Sequence, residues 1–304
     1  MRWMSALALV AAAASMPGQN HVSAADMGKI VYSRKSGDRV LLHVMNADGT
    51  SDRELPGQTA KYNAFPAWSP DGKRIAYTTA EGPSPETYRI RICDADGGNA
   101  VSVNSPGIAG LPTWSPDGSR LLFVAGMRPE IHECDASGNN ARKIGPAEGE
   151  AVFPFWSHDG KSIGYTKLDG GEQRSIVVMM PASGGGEQEL FKQDGLAAIG
   201  PGSMSADGKR LAYVSLDTMR STGTVIIRGL SDKSETSLGE TAVEDERNFA
   251  ALPMAGWSPD GKGVVAALKT EKGQGLFLIG EDGTKKRLTP EGVSAYQASW
   301  VVPK

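Results

Sequence analysis

Trp68-Ser-Pro-Asp-Gly-Lys-Arg-Ile-Ala-Tyr77 decides the fold, because its first half keeps returning along the chain. Trp-Ser-Pro-Asp-Gly is intact at Trp68–Gly72, Trp114–Gly118 and Trp257–Gly261. It is altered at Trp156–Gly160, where His158 replaces Pro, and at Met204–Gly208, where Met204 replaces Trp and Ala206 replaces Pro. The aspartates Asp71, Asp117, Asp159, Asp207 and Asp260 are spaced by 46, 42, 48 and 53 residues. A lone Ser299-Trp300 adds a sixth position, 43 residues after Trp257. Self-similarity with a period of about 40–50 residues is the mark of solenoids and propellers.

The second repeat, Phe65–Gly107, shows what one unit builds. A short strand A ends in Trp68. In Ser69-Pro70-Asp71-Gly72, Pro sets φ for the first central turn position, Asp suits the second, and Gly supplies φ > 0. Arg74–Thr78 reads as strand B. After a polar Gly/Pro loop, Tyr88, Ile90 and Ile92 alternate with Arg89 and Arg91, the period-2 pattern of strand C. Asp94-Ala95-Asp96-Gly97 turns the chain into strand D at Ala100–Val103. Each repeat is therefore a four-stranded antiparallel meander.

Pro66, Pro112 and Pro154 stand two residues before a Trp. Proline cannot donate to a sheet ladder and lies on edge strands or at bulges, which makes strand A the inner edge of a radial array. Trp68, Trp114, Trp156 and Trp257 then fill the space between neighbouring sheets. The first repeat begins at Lys29 without a strand A, and Gln297-Ala298-Ser299-Trp300 supplies it from the far end. Such closure protects sheet edges. The expected fold is an all-β, six-bladed β-propeller. Residues 26–304 form its one domain, and the C-terminal strand joins the N-terminal blade.

The Trp-Ser-Pro-Asp-Gly-Lys-Arg-Ile-Ala-Tyr phrase, paired with Met/Cys-Asp-Ala-Asp-Gly turns, resembles the WD40-like (PD40) propeller repeats of the TolB family. The resemblance runs from about residue 28 to the end. It implies a propeller in a periplasmic setting, among envelope complexes of the Tol–Pal kind. In TolB itself the propeller follows an N-terminal α/β domain, and there is no room for one between Ala25 and the first repeat. The resemblance is to the propeller alone.

Arg2 is the only charge before Asp26, and Ser5–Ala14 is mostly Ala, Leu and Val. Small residues at Val22-Ser23-Ala24 or Ser23-Ala24-Ala25 fit a cleavage site, so residues 1–25 read as an export signal. The apolar run is well short of the ~20 residues a membrane span needs. The expected product is a periplasmic or secreted monomer with no membrane span. With 32 basic and 35 acidic residues the net charge is -3, without the basic stripe of a nucleic-acid binder. Cys93 and Cys134 occupy a slot that holds Met45 and Met180 in other repeats, which reads as a buried apolar position rather than a disulfide.

A meander places the stereotyped A–B and C–D turns at one end and the more variable B–C and D–A loops at the other. Binding residues concentrate on variable loops held by a rigid scaffold. That face and the channel mouth are the expected binding surface. Phe65, Leu111, Phe153, Met254 and Tyr296 lie near the starts of strands A and place apolar groups at the mouth or in the core. Glu244, Asp245 and Glu246, in the longest loop, form either a solvated acidic tip or a docking patch for a basic partner.

Signs of catalysis are sparse. There is no Gly-x-Ser-x-Gly elbow. His43, His132 and His158 lie in separate repeats, so no metal site is expected. Asp94-Ala95-Asp96-Gly97 lacks the twelfth-position Glu of a calcium loop. No phosphate loop or dinucleotide fingerprint is present, and no cofactor is expected. The sequence favours a non-catalytic exported propeller that binds a protein or peptide. The alternatives are a carbohydrate lyase or hydrolase working at the channel mouth, and a sensor of a small ligand.

Overall fold

The structure is a computed structural model that describes residues 27–303, apart from 83, 147, 170–173, 195–196, 201, 218–219 and 244–251. The expected export signal at 1–25 lies outside the described residues.

The first repeat contributes β1 (Lys29–Ser36), β2 (Arg39–Asn46) and β3 (Arg53–Glu54). The second contributes β4 (Tyr62–Trp68), β5 (Arg74–Ala80), β6 (Arg89–Asp94) and β7 (Val101–Ser102). The third runs through β8 (Ala109–Trp114), β9 (Arg120–Ala125), β10 (Glu130–Asp135) and β11 (Arg142–Gly145). The fourth is β12 (Glu150–Trp156), β13 (Ser162–Asp169), β14 (Arg174–Pro181) and β15 (Gln188–Asp194). In the fifth, strand A is split into β16 (Ala197–Ile199) and β17 (Ser203–Met204), followed by β18 (Arg210–Asp217), β19 (Thr222–Gly229) and β20 (Glu235–Ala242). The sixth is β21 (Ala255–Trp257), β22 (Gly263–Thr270), β23 (Gly273–Gly280) and β24 (Lys285–Arg287). The last strand is β25 (Ala295–Val301).

These are the four-stranded antiparallel blades of a propeller. The described residues form five sheets, because the first has the order β25-β1-β2-β4-β5-β6-β7, with β3 paired on β2. Its two meanders are joined only where Val40 faces Tyr62 in a parallel pair. Strand β25 pairs antiparallel with β1, Ile30 opposite Trp300 and Lys29 opposite Val301, so the chain's end completes its first blade. The prolines are where an edge strand tolerates them: β8 and β12 end their sheets, and the ladder slips by a bulge across Pro66, Pro112 and Pro154.

The repeated phrase is a hydrogen-bonded unit. In each A–B turn the Ser hydroxyl donates to the Asp carboxylate two residues on, at 2.6–2.7 Å for Ser69, Ser115, Ser157, Ser205 and Ser258. The same Asp Oδ1 accepts a backbone N–H from Lys73, Ser119, Lys161, Lys209 or Lys262. Gly72, Gly118, Gly160, Gly208 and Gly261 all have φ of 68–70°, which a side chain would oppose.

Trp68, Trp114, Trp156 and Trp257 are buried and pack between blades. The indole N–H of Trp114 donates to Ala67 O of the preceding repeat (3.1 Å), and that of Trp156 to Thr113 O (3.4 Å). A second tie recurs outward: Tyr32, Tyr165 and Tyr213 of strands B donate to Asp52, Glu187 and Glu235 at the starts of strands D (2.9, 2.6 and 3.2 Å). Met45, Cys93, Cys134 and Met180 are all buried in one register, as an apolar slot requires. Both cysteines are free thiols, each pushed up to about 12 by burial first and by a neighbouring aspartate second.

Candidate binding surfaces

Strands A from all the repeats meet around one cavity of about 460 Å³. Phe65, Leu111 and Phe153 adopt left-handed backbone, with φ of 50°, 59° and 56°. For bulky residues this conformation costs about 1–2 kcal/mol each, so the surrounding structure must enforce it. Here a bulge holds it in each strand, against the extended preference of a residue before proline, and the side chains are turned inward. Phe65, Leu111, Phe153 and Ala64 form one buried cluster, against which Leu252 and Met254 pack. Residues from the second, third, fourth and sixth repeats therefore touch one another. They make an apolar plug across the channel rather than a ring around an open mouth. Above the plug the cavity reaches Pro70, Pro116, His158, Ala206, Pro259 and Val302, which belong to the A–B turn end.

Tyr296 does not join this cluster. Counting back three residues from Trp68, Trp114, Trp156, Trp257 and Trp300 gives Phe65, Leu111, Phe153, Met254 and Gln297. Gln297, not Tyr296, has the plug position. Tyr296 packs instead with Val40 and Tyr62 at the join between the first two meanders. Gln297 is fully buried, its Oε1 accepts the backbone N–H of Phe65 (3.4 Å), and its Nε2 donates to Leu252 O. The signal that finds it is the repeat register; apolar character alone points one residue away.

The loop face carries a different feature. Asp194 at the end of β15, Asp217 at the end of β18, Arg220, Thr222 and Glu240 line a recess of about 610 Å³ with Gln193, Ser215 and Thr224. Gln193 Nε2 donates to Ser215 Oγ (2.7 Å), tying the fourth repeat to the fifth beneath it. Arg220 lies 3.7 Å from the Asp217 carboxylate. Three carboxylates and one guanidinium leave the recess acidic. Asp217 has the register of Asp169 in the fourth repeat, and all three acids fall in or beside the variable loops; what the sequence hides is that they meet in one recess. Glu244, Asp245 and Glu246 lie outside the described residues. Not every connection on this face is long: β1 to β2 and β22 to β23 are two-residue hairpins.

The histidines are dispersed. His43 Nδ1 lies 3.2 Å from Asp52, which also accepts from Tyr32 and Arg34. Burial pulls Asp52 up, but the bonds from His43 and Tyr32 and the nearby charges leave it below the usual carboxylate range. His132 is held below its ordinary value by burial, against the pull of Glu130. His158 is exposed beside the channel cavity. Among the described residues no three His, Cys, Asp or Glu groups converge to hold a metal ion. No described helix is long and apolar enough to cross a membrane.

A closed set of four-stranded blades around an axial cavity defines a β-propeller. Residues 24–302 match the TolB beta propeller domain (PD40), and the chain belongs to that family. A 60-residue stretch is 43% identical to the Tol-Pal system protein TolB of Nitrosomonas europaea, covering 20% of this chain and only 14% of that protein. The crystal structure of TolB from Acinetobacter baumannii superposes with a TM-score of 0.72 at 25% identity, over 90% of this chain and 67% of that one. An oligogalacturonate lyase from Vibrio parahaemolyticus shares the fold alone, with a TM-score of 0.56 at 15% identity over 84% of this chain and 76% of that one.

Proposed function

We propose that the chain is an exported, non-catalytic six-bladed propeller, residues 26–304, that binds a protein or peptide partner through its B–C/D–A loop face as a monomer. The eight-stranded sheet counts as two blades, since a single residue pair joins them. The setting is the periplasm and an envelope role like that of the TolB relatives.

The observation that carries this reading is the acidic recess of Asp194, Asp217 and Glu240, where three strand ends of the fourth and fifth repeats converge on the loop face. Its charge fits a partner segment bearing Lys or Arg. Charged surfaces of this kind set encounter rate and specificity more than raw affinity. Catalysis has less support, because the axial cavity is lined mainly by Pro, Trp, Phe and Ser side chains rather than convergent acids and bases.

An affinity pull-down from envelope extract with the full chain tests the proposal. Capture of a specific protein, weakened by Asp217→Lys with Glu240→Lys, is expected. Turnover of members of a glycan panel with no protein captured would favour the lyase or hydrolase reading.

A further inference from the structure

Arg74, Arg120 and Arg210 each open a strand B, and each guanidinium lies 4.7 Å from the ring centre of the Trp in the next repeat: Trp114, Trp156 and Trp257. The first, fourth and sixth repeats break this ladder: Lys29 opens strand B before Trp68, which is buried all the same, Ser162 opens it before Met204, and the sixth repeat lacks any side chain there. Its strand B opens with Gly263, and the next Trp is Trp300. A Cβ at Gly263 would come within 2.9 Å of Ile279 O, so no side chain can take the missing arginine's place without a backbone shift. The face of Trp300 is left uncovered, and Trp300 is half-buried where the other four are buried.

The gap is a groove of about 460 Å³ on the A–B turn side, on the opposite face from the acidic recess. Leu278, Trp300, Val302 and Pro259 give it apolar walls. Lys262 and Lys286 stand around it, both exposed, and neither makes an ion pair among the described residues; Lys285 also lines it, but its Nζ lies toward Gly239 of the fifth repeat. The one carboxylate lining it is Asp260, whose Oδ1 already accepts from the Ser258 hydroxyl and the Lys262 N–H. A missing cation over an indole would by itself invite a ligand cation. Two lysines oppose that here and select an anion instead. In a chain of net charge -3, this cluster runs against the overall field.

We propose that the groove between the sixth repeat and Trp300 docks an acidic peptide segment: one large apolar side chain lies against Trp300, and flanking Asp or Glu side chains meet Lys262 and Lys286. The apolar walls exclude water from the anchor, and the lysines fix its polarity and speed its encounter. The inference does not rest on the loop-face reading, since the two surfaces have opposite charge and lie on opposite faces.

The test is selection from a random 12-residue peptide library on the full chain, alongside the variant Lys262→Glu/Lys286→Glu. These side chains are exposed and unpaired, so the variant keeps its fold, checked by its melting temperature. Enrichment of peptides with net negative charge and one aromatic or large aliphatic residue is expected. Their binding should fall by about tenfold or more in the variant and weaken with salt. Asp217→Lys on the other face should leave it unchanged. Failure to enrich acidic peptides, equal binding by the double variant, or binding of polygalacturonate in preference to any peptide would overturn the proposal.

Discussion

The guanidinium of Arg74 lies 4.7 Å from the centre of the Trp114 ring in the following repeat, and one of its nitrogens donates to Ala136 O. A residue of the A–B hairpin is thereby fastened to the next blade. Desolvated cation–π contacts of this kind are worth about 1–2 kcal/mol. Arg74→Ala should therefore destabilise by about that amount, partly through lost packing of its stem. Trp114→Ala should cost more, about 3–5 kcal/mol, because it also leaves a cavity. A double-mutant cycle by chemical denaturation should give a coupling of about 1 kcal/mol; strict additivity would remove the ladder from the account.

Strand β25 gives a second prediction. It pairs with β1 along its length, and Trp300 Nε1 donates to Met27 O (2.8 Å). Deleting residues 295–304 exposes the edge of β1 and uncovers Tyr32 and Ile30. Exposed edges template association between chains. The truncated chain should lose its cooperative melting transition and aggregate on size-exclusion chromatography. A monomeric, cooperatively folded truncation would show that closure is dispensable.

These two features were readable in the sequence for a simple reason: they repeat. Trp-Ser-Pro-Asp-Gly disclosed the hairpin, the inter-blade Trp and the offset closure through Trp300. The Arg that opens strand B also repeats, but its partner is 36–47 residues away, so the contact stays hidden until blades are placed side by side. The plug shows the opposite limit. Phe65, Leu111, Phe153 and Met254 are visible as apolar residues near the starts of strands A, yet only packing shows that they meet across the axis. Gln297 was missed for Tyr296 because polarity obscured its register. The acidic recess draws on β15, β18 and β20 at once, which no local pattern encodes.

The plug makes its own prediction. Gln297→Leu removes the bonds to Phe65 N and Leu252 O from a fully buried site. Losing buried hydrogen bonds should cost about 1–3 kcal/mol, seen as a lower denaturation midpoint with an unchanged slope. Phe65→Ala should cost about 3–5 kcal/mol by opening a cavity. A Gln297→Leu protein as stable as the parent would mean that the polar position in the plug has no structural role.

Acid should weaken the turns. Asp117 is lowered to about 2 by the Ser115 hydroxyl first and by the Ser119 N–H and hydroxyl next. Asp135 is likewise lowered to about 2, chiefly by the Ser137 hydroxyl and the Asn139 N–H. A carboxylate whose folded value is depressed stabilises the fold above its unfolded value and loses that contribution as pH falls through the folded one. Stability should therefore decline on acidification from about pH 4 to about pH 2. Asp117→Asn should flatten this decline while lowering stability at neutral pH. A denaturation midpoint independent of pH across that window would contradict the turn chemistry.

The central claim is that the acidic recess on the loop face binds a partner while the blades serve as scaffold. Its most direct test is the dissociation constant of the captured envelope protein for the parent chain and for Asp194→Lys/Asp217→Lys/Glu240→Lys, by calorimetry at fixed salt. The account predicts a loss of about tenfold or more for the variant, with its melting temperature preserved. Unchanged affinity in a folded variant would contradict it.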